Sequence, residues 1–303
     1  MVRLGWVTIL LCVALAGALA QQPVFRTGTD LVTFAVSALD RRGNFIADLN
    51  ADDFEIVEDD KAQTITYFAR GEGGAAPDLH VGLLFDTSES MGLDIQLARS
   101  AAIRFLNTLS DAKDMTVVDF DTEVRVAKYG QQDFARMVER IRSRKPRGMT
   151  ALYDAIGLYL DGAQENGGRT ILVIFTDGGD TRSAIRLNDV VTLLRASHVT
   201  VYTVGFLENQ TGGQRGEQRV RLSQIAGESG GESFFPSSME QVDKAYDRIL
   251  QQIRAQYHLG FVSTNTKQDG SWRKVEVRVK RRELKDVRLQ ARKGYFAVYK
   301  KEG

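Results

Sequence analysis

Four apolar residues, Val81, Leu83, Leu84 and Phe85, are broken only by Gly82 and run into the polar stretch Asp86-Thr87-Ser88-Glu89-Ser90. Beyond it, Ile95, Leu97, Ala98, Ala101, Ala102, Phe105 and Leu106 recur at helical spacing. The pattern predicts a buried strand entering a helix through a hydroxyl-rich junction. The same alternation continues downstream. Met115 to Phe120 and Val124 to Tyr129 read as strands, a helix begins near Ala151, and Ile171 to Phe175 is an unbroken apolar run. Such a run suits a strand buried on both faces. Ile185 to Ala196 reads as helix, Val199 to Val204 as strand, and Ser238 to Gln252 as a helix with Val242, Ala245 and Ile249 on one side. Strand and helix in turn predict a doubly wound, mostly parallel α/β sheet.

The flanks carry a different period. Leu31 to Leu39, Phe54 to Glu58 and Gln63 to Phe68 are rich in β formers, with Asp59-Asp60 placed for a hairpin turn. After Tyr257, His258 to Ser263, Val275 to Val279 and Gly294 to Tyr299 again read as strands. Each flank has too few strands for a stable sandwich, but together they suffice for two layers. The expected architecture is therefore an α/β domain inserted in a β-sandwich formed by the N- and C-terminal segments. Gly71 to Pro77 reads as the linker between them. The boundaries expected are 21–76 and 256–303 for the sandwich and 77–255 for the inserted domain.

Residues 1–20 are set apart. Arg3, the apolar run Trp6 to Ala18 and Ala18-Leu19-Ala20 form a signal peptide with cleavage expected after Ala20. The only cysteine, Cys12, lies within it, so the mature chain has no disulfide. Leu11 before Cys12 argues against a lipid anchor. An exported, cysteine-free chain points to a bacterial source and a periplasmic or extracellular location, with no stable membrane insertion after cleavage. At 303 residues, 43% hydrophobic and 26% charged, the bulk is that of soluble globular domains. Lys and Arg total 40 against 39 Asp and Glu, a balance that gives no overall field for nucleic acid. The run Lys280-Arg281-Arg282 reads as a solvated turn.

The chemistry gathers at strand ends. Asp86, Ser88 and Ser90 are hard oxygen donors where an open α/β sheet places its ligands, beyond the carboxyl end of a strand. Thr150 stands at a loop-to-helix junction in Gly148-Met149-Thr150-Ala151-Leu152, and Thr176-Asp177-Gly178 follows the strand ending at Phe175. Taken singly, each serine or threonine also fits a helix cap, and Asp177 a turn.

In order, Asp86, Ser88, Ser90, Thr150 and Asp177 match D-x-S-x-S, a distant Thr and a distant T-D-G. On these motifs the stretch from Leu79 to Arg254 resembles the von Willebrand factor type A (vWA) family and its metal-ion-dependent adhesion site (MIDAS). The flanks resemble a bacterial group of exported vWA-related proteins, with D-F-x-I-x-E-D at Asp53 to Asp59 and G-Y-F at Gly294 to Phe296. Glu89 departs from the pattern, since many members carry Gly there. The resemblance implies a divalent cation, Mg²⁺ first and Mn²⁺ or Ca²⁺ as alternatives, bound by those five residues. It also implies an open coordination position filled by a carboxylate of a partner protein, and no enzyme activity.

Other readings compete. The sandwich would bind a partner without metal, with the vWA domain as scaffold. A Mg²⁺-dependent phosphatase-like hydrolase would use Asp86 as nucleophile, but Ser88 stands where dehalogenase-type enzymes want a second Asp. Gly227-Glu228-Ser229-Gly230-Gly231 matches G-x-S-x-G, yet a helix precedes it and a strand follows, the reverse of a nucleophile elbow. No Gly-rich phosphate loop follows a strand. His80, His198 and His258 are scattered, which argues against a zinc site. Asn209-Gln210-Thr211 is a sequon in a polar stretch, Glu208 to Glu217, that reads as a flexible or ligand-contacting loop.

Overall fold

Strands β1 (Leu31–Leu39), β2 (Phe54–Glu58), β3 (Lys61–Gln63) and β4 (Ile65–Arg70) come first in the chain. They are followed by β5 (Leu79–Asp86), α1 (Ile95–Thr108), β6 (Asp114–Phe120), β7 (Val124–Gly130), α2 (Phe134–Ser143) and α3 (Leu152–Gly162). Next come β8 (Arg169–Thr176), α4 (Leu187–Ala196), β9 (Thr200–Gly205), α5 (Gly212–Glu228), β10 (Ser233–Phe234) and α6 (Met239–Ala255). The chain closes with β11 (Tyr257–Val262), β12 (Trp272–Val279), β13 (Arg288–Gln290) and β14 (Gly294–Phe296). This computed structural model describes residues 31–72, 76–109, 112–164, 166–284 and 286–300. The signal-peptide motif, Cys12 and the centre of the Gly-rich linker, residues 73–75, lie outside the described residues.

Among the described residues, the central sheet runs β10-β9-β8-β5-β6-β7, parallel except for the antiparallel edge strand β7. Helices α1, α2 and α6 cover one face and α3, α4 and α5 the other. The apolar runs supply both faces by simple alternation. Ile171, Val173 and Phe175 of β8 pack towards α1 and α6, while Leu172 and Ile174 pack towards α3 and α4. Each such fully buried side chain contributes about 1.5–3 kcal/mol relative to exposure.

The terminal segments form two antiparallel sheets, β13-β1-β11-β4 and β14-β12-β2-β3, around a shared core that includes Phe34, Phe54, Ile56, Tyr257, Leu259 and Phe261. Neither flank builds a sheet by itself. β1 pairs with β11 from Leu31↔Val262 to Val36↔Tyr257, and β2 pairs with β12 from Glu58↔Val275 to Phe54↔Val279.

Local details differ from the sequence reading. Gln63 to Phe68 is not one strand. Asp59 and Asp60, at φ 43° and 65°, turn β3 back onto β2, and the chain then leaves at Thr64 so that β4 joins β11 in the other sheet. The crossing carries Ile65 and Phe68 into the shared core. The last regular strand spans only Gly294–Phe296, although its pairing register carries on through Ala297 N–H to Ser271 O and the isolated bridge Asp269↔Tyr299. Glu208 to Glu217 is not a long loop. Helix α5 begins at Gly212, anchored by buried Gln218, Leu222 and Ile225, and α4 begins at Leu187 rather than Ile185. Arg281 of the basic run faces Asp48 at 2.9 Å and Asp53 at 3.6 Å, so it is locally compensated. Among the described residues, no helix is long and apolar enough to cross a membrane.

Candidate metal centre

β5 and β8 are parallel neighbours in the register Phe85↔Phe175, so Asp86 and Thr176 end the two strands side by side. Thr176 Oγ1 donates to Asp86 Oδ2 at 2.5 Å, and Ser88 N–H donates to Asp86 Oδ1 at 2.9 Å. Asp177 follows at once, and the two carboxylates are only 0% and 3% exposed. Burial, reinforced by the charge of Asp177, pushes Asp86 up to about 7 despite the hydrogen bonds it accepts.

Ser88 stands at the start of a short 3-10 turn, Glu89–Gly92, but its hydroxyl makes no cap. It lies 3.1 Å from Ser90 Oγ instead. Helix α1 starts only at Ile95, so the junction between β5 and α1 is a loop rather than a direct entry. A second loop carries Thr150. Its backbone is tied to the first by Arg147 N–H to Thr87 O at 2.9 Å and by Glu89 N–H to Gly148 O at 3.1 Å. Gly148, at φ +67°, takes a left-handed conformation beside Thr122, where a Cβ would collide with the Thr122 hydroxyl. The third loop holds Thr150 from the other side. Thr150 N–H donates to Thr181 Oγ1 at 3.0 Å, and Thr150 O accepts from Thr181 and Arg182 N–H. The loops bearing all five sequence candidates are thus tied together at the carboxyl edge of the sheet.

Five buried aspartates sit at this edge; Asp94 accepts Asn209 Nδ2, and the other four divide into two kinds. Asp119 accepts Arg125 Nε at 2.7 Å and Arg140 at 2.6 Å, and forms an ion pair with Arg144 at 3.0 Å. Asp121 accepts Arg125 and Arg147 at 2.9 and 3.1 Å. Asp86 and Asp177 form no ion pair with any described residue. Buried charges are normally paired or coordinate metals. Two unpaired carboxylates beside hydroxyl-bearing loops form a donor set of hard oxygens, which fits a divalent cation of the Mg²⁺ or Ca²⁺ type. Among the described residues no three His, Cys, Asp or Glu side chains gather for a metal, so the hydroxyls are essential to the set.

Sequence reasoning did not identify Thr176 as a partner of Asp86, although a threonine ending the apolar run was visible. It also missed Gln210, whose Nε2 donates to Asp177 O at 2.7 Å, and Asn209, whose Nδ2 donates to Asp94 Oδ1 at 3.0 Å. The polar stretch containing the sequon was their only signal. Ser229 is occupied structurally. It ends α5, donates to Ala226 O and accepts from Val201 N–H, both at 2.8 Å. His80 lies at the far end of β5 with Asp114 Oδ1 at 3.0 Å from its Nδ1.

The model of the von Willebrand factor type A domain family matches residues 80–248. No curated protein matches the chain. Among solved structures, a von Willebrand factor type A protein from Catenulispora acidiphila aligns with 92% of this chain and 76% of its own, at 14% identity and a TM-score of 0.50. That likeness is one of fold. The vWF domain of the type V pili tip protein Mfa5 from Porphyromonas gingivalis aligns with 59% of this chain and 96% of its own, at 13% identity and a TM-score of 0.45. Proximal thread matrix protein 1 from the mussel byssus, with a zinc-occupied MIDAS motif, aligns with 60% of this chain and 47% of its own, at 20% identity and a TM-score of 0.42.

Proposed function

This chain belongs to the von Willebrand factor type A domain family, and we propose that it is an exported, non-enzymatic module that binds a partner protein through a divalent cation. Asp86, Ser88, Ser90, Thr150 and Asp177 would hold the cation, Mg²⁺ by preference. When bound, the cation supplies an electrophilic point for a carboxylate oxygen of the partner. The observation that carries this reading is the contrast between Asp86 and Asp177, which form no ion pair with any described residue, and Asp119 and Asp121, which arginines enclose.

The chain's own groups divide the work. Thr176 and the Ser88 N–H orient Asp86. Gln210 holds the backbone at Asp177. Leu93 and Met149, 79% and 55% exposed on the loops that carry the site, offer apolar contact around it. Exposed Glu89 would disfavour acidic groups next to the coordinating carboxylate.

Calorimetric titration with Mg²⁺ or Mn²⁺ tests the site. Binding to the wild type and loss of binding in the Asp86→Ala, Asp177→Ala double variant are expected; equal binding by both overturns it. Capture of a partner from the native secretome should fail in EDTA. Capture that survives EDTA would transfer the binding role to the β-sandwich. Mg²⁺-dependent phosphatase activity abolished by Asp86→Asn would replace the binding reading with the hydrolase.

A further inference from the structure

At the end of the central sheet remote from Asp86 and Asp177, a cavity of about 30 Å³ lies where β1 and β11 meet the amino ends of β8 and β9. That is room for one or two water-sized particles. Its lining brings together Arg169, His198, His258 and Arg292, and no described lining residue is Asp or Glu.

Arg292 donates to Ser197 O at 2.9 Å and Thr33 O at 2.7 Å, and its guanidinium lies 4.4 Å from the centre of the Phe34 ring. Burial pushes it down to about 10, which leaves it protonated at neutral pH. Among the described residues its hydrogen-bond partners are backbone carbonyls, which leave its charge without a counter-ion there. His258 is 8% exposed and its Nε2 has no hydrogen-bond partner. Burial first, and then the charge of Arg169, push it down to about 3, so the ring is neutral. A neutral imidazole still carries one N–H to donate. His198 Nε2 lies 3.5 Å from Thr170 Oγ1, which adds a hydroxyl donor to the same wall. Arg169 contributes a second guanidinium, donating to Pro77 O and Gly71 O at 2.9 and 2.8 Å.

A small space with two guanidinium groups in its wall, an orphaned imidazole nitrogen and no acidic side chain among its described lining residues is shaped for an anion. We propose that this cavity binds one small inorganic anion of chloride size, held by Arg292 with His258 and Thr170. The volume is too small for an extended organic acid. Because the wall is shared by β1, β11, β8 and β9, the anion would fasten the terminal sheets to the central sheet. The proposal does not depend on the metal site, which lies at the opposite ends of β5 and β8.

The test uses the mature chain. Melting temperature is measured in sodium gluconate and in sodium chloride or bromide at equal ionic strength. A saturable rise of about 2–4 °C in halide is expected. Arg292→Gln should abolish that rise while leaving stabilisation by magnesium sulfate intact. Crystals grown in sodium bromide should show an anomalous peak beside Arg292. Equal melting in gluconate and halide, an undiminished halide effect in Arg292→Gln, or no bromide peak would each overturn the proposal. Should Arg292→Gln fail to fold, the wild-type bromide map decides alone.

Discussion

Thr176 Oγ1 donates to Asp86 Oδ2 at 2.5 Å across the β5–β8 pair, while the same oxygen accepts Gly178 N–H at 3.0 Å. One hydroxyl thereby couples the buried carboxylate of one strand to the turn that carries Asp177. Removing it in Thr176→Val keeps the volume and deletes the link. The expected outcome is an Mn²⁺ affinity weaker by about tenfold, as for other outer-sphere partners of metal ligands, with a stability loss of about 1 kcal/mol. Calorimetric titration and urea unfolding measure the two effects. Unchanged affinity would mean that Ser88 N–H alone sets the carboxylate.

Asp119 is the counter-ion of three guanidinium groups, from Arg125, Arg140 and Arg144. Asp119→Ala would strip Arg140 and Arg144 of this carboxylate and leave Arg125 only Asp121 and Glu123, around a side chain that is 1% exposed. A loss of about 3–5 kcal/mol is expected. Urea denaturation measures it, and a loss below about 1 kcal/mol would show that solvent already screens the cluster.

Asp121 gives a pH dependence. Burial raises its pKa, but hydrogen bonds from Arg125, the Glu123 N–H and Arg147 outweigh that and hold it at about 2. A carboxyl bound more tightly as the anion in the folded state stabilises fully above its unfolded value, about 3.8. The contribution then disappears as pH falls from about 3.8 through about 2, and amounts to roughly 2 kcal/mol. Asp121 Oδ2 also accepts Arg147 Nε at 3.1 Å, so the same protonation loosens the loop that bears Thr150. Stability measured from pH 5 to pH 2 should fall more steeply in the wild type than in Asp121→Asn. Parallel curves would remove Asp121 from the account.

The terminal sheets are interleaved, with β1 and β4 on either side of β11 and β2 beside β12. Residues 77–255 expressed alone should fold, because the central sheet and all six described helices lie within them. Deleting residues 256–303 should unfold the N-terminal strands, which would lose their neighbours. Circular dichroism and proteolysis separate the two cases. A folded N-terminal segment in the truncated chain would refute the shared sandwich.

Much of the candidate site was legible because its parts are local. An apolar run that ends in Asp86, and another that ends in Thr176-Asp177, declare strand ends by composition alone. The Arg-enclosed Asp119 and Asp121 were not legible as a contrast to Asp86. Their partners Arg140, Arg144 and Arg147 come from a helix and loop whose approach no spacing reveals. Gln210 was hidden for a related reason, since Glu208 to Glu217 carries little periodicity. Helix α5 forms there because Leu222 and Ile225, further on, anchor it to the sheet.

The sequence by itself determined the order of strands and helices, the α/β centre with β flanks, and the five oxygen-bearing positions. Hydrophobic period and residue chemistry are local properties, carried by neighbours in the chain. Only the tertiary structure decided that Thr64 parts β3 from β4, that Thr176 meets Asp86, and which buried aspartates find arginines. Those outcomes depend on strand register and on packing between segments far apart in sequence, where the energy of a contact exists only after the chain has closed.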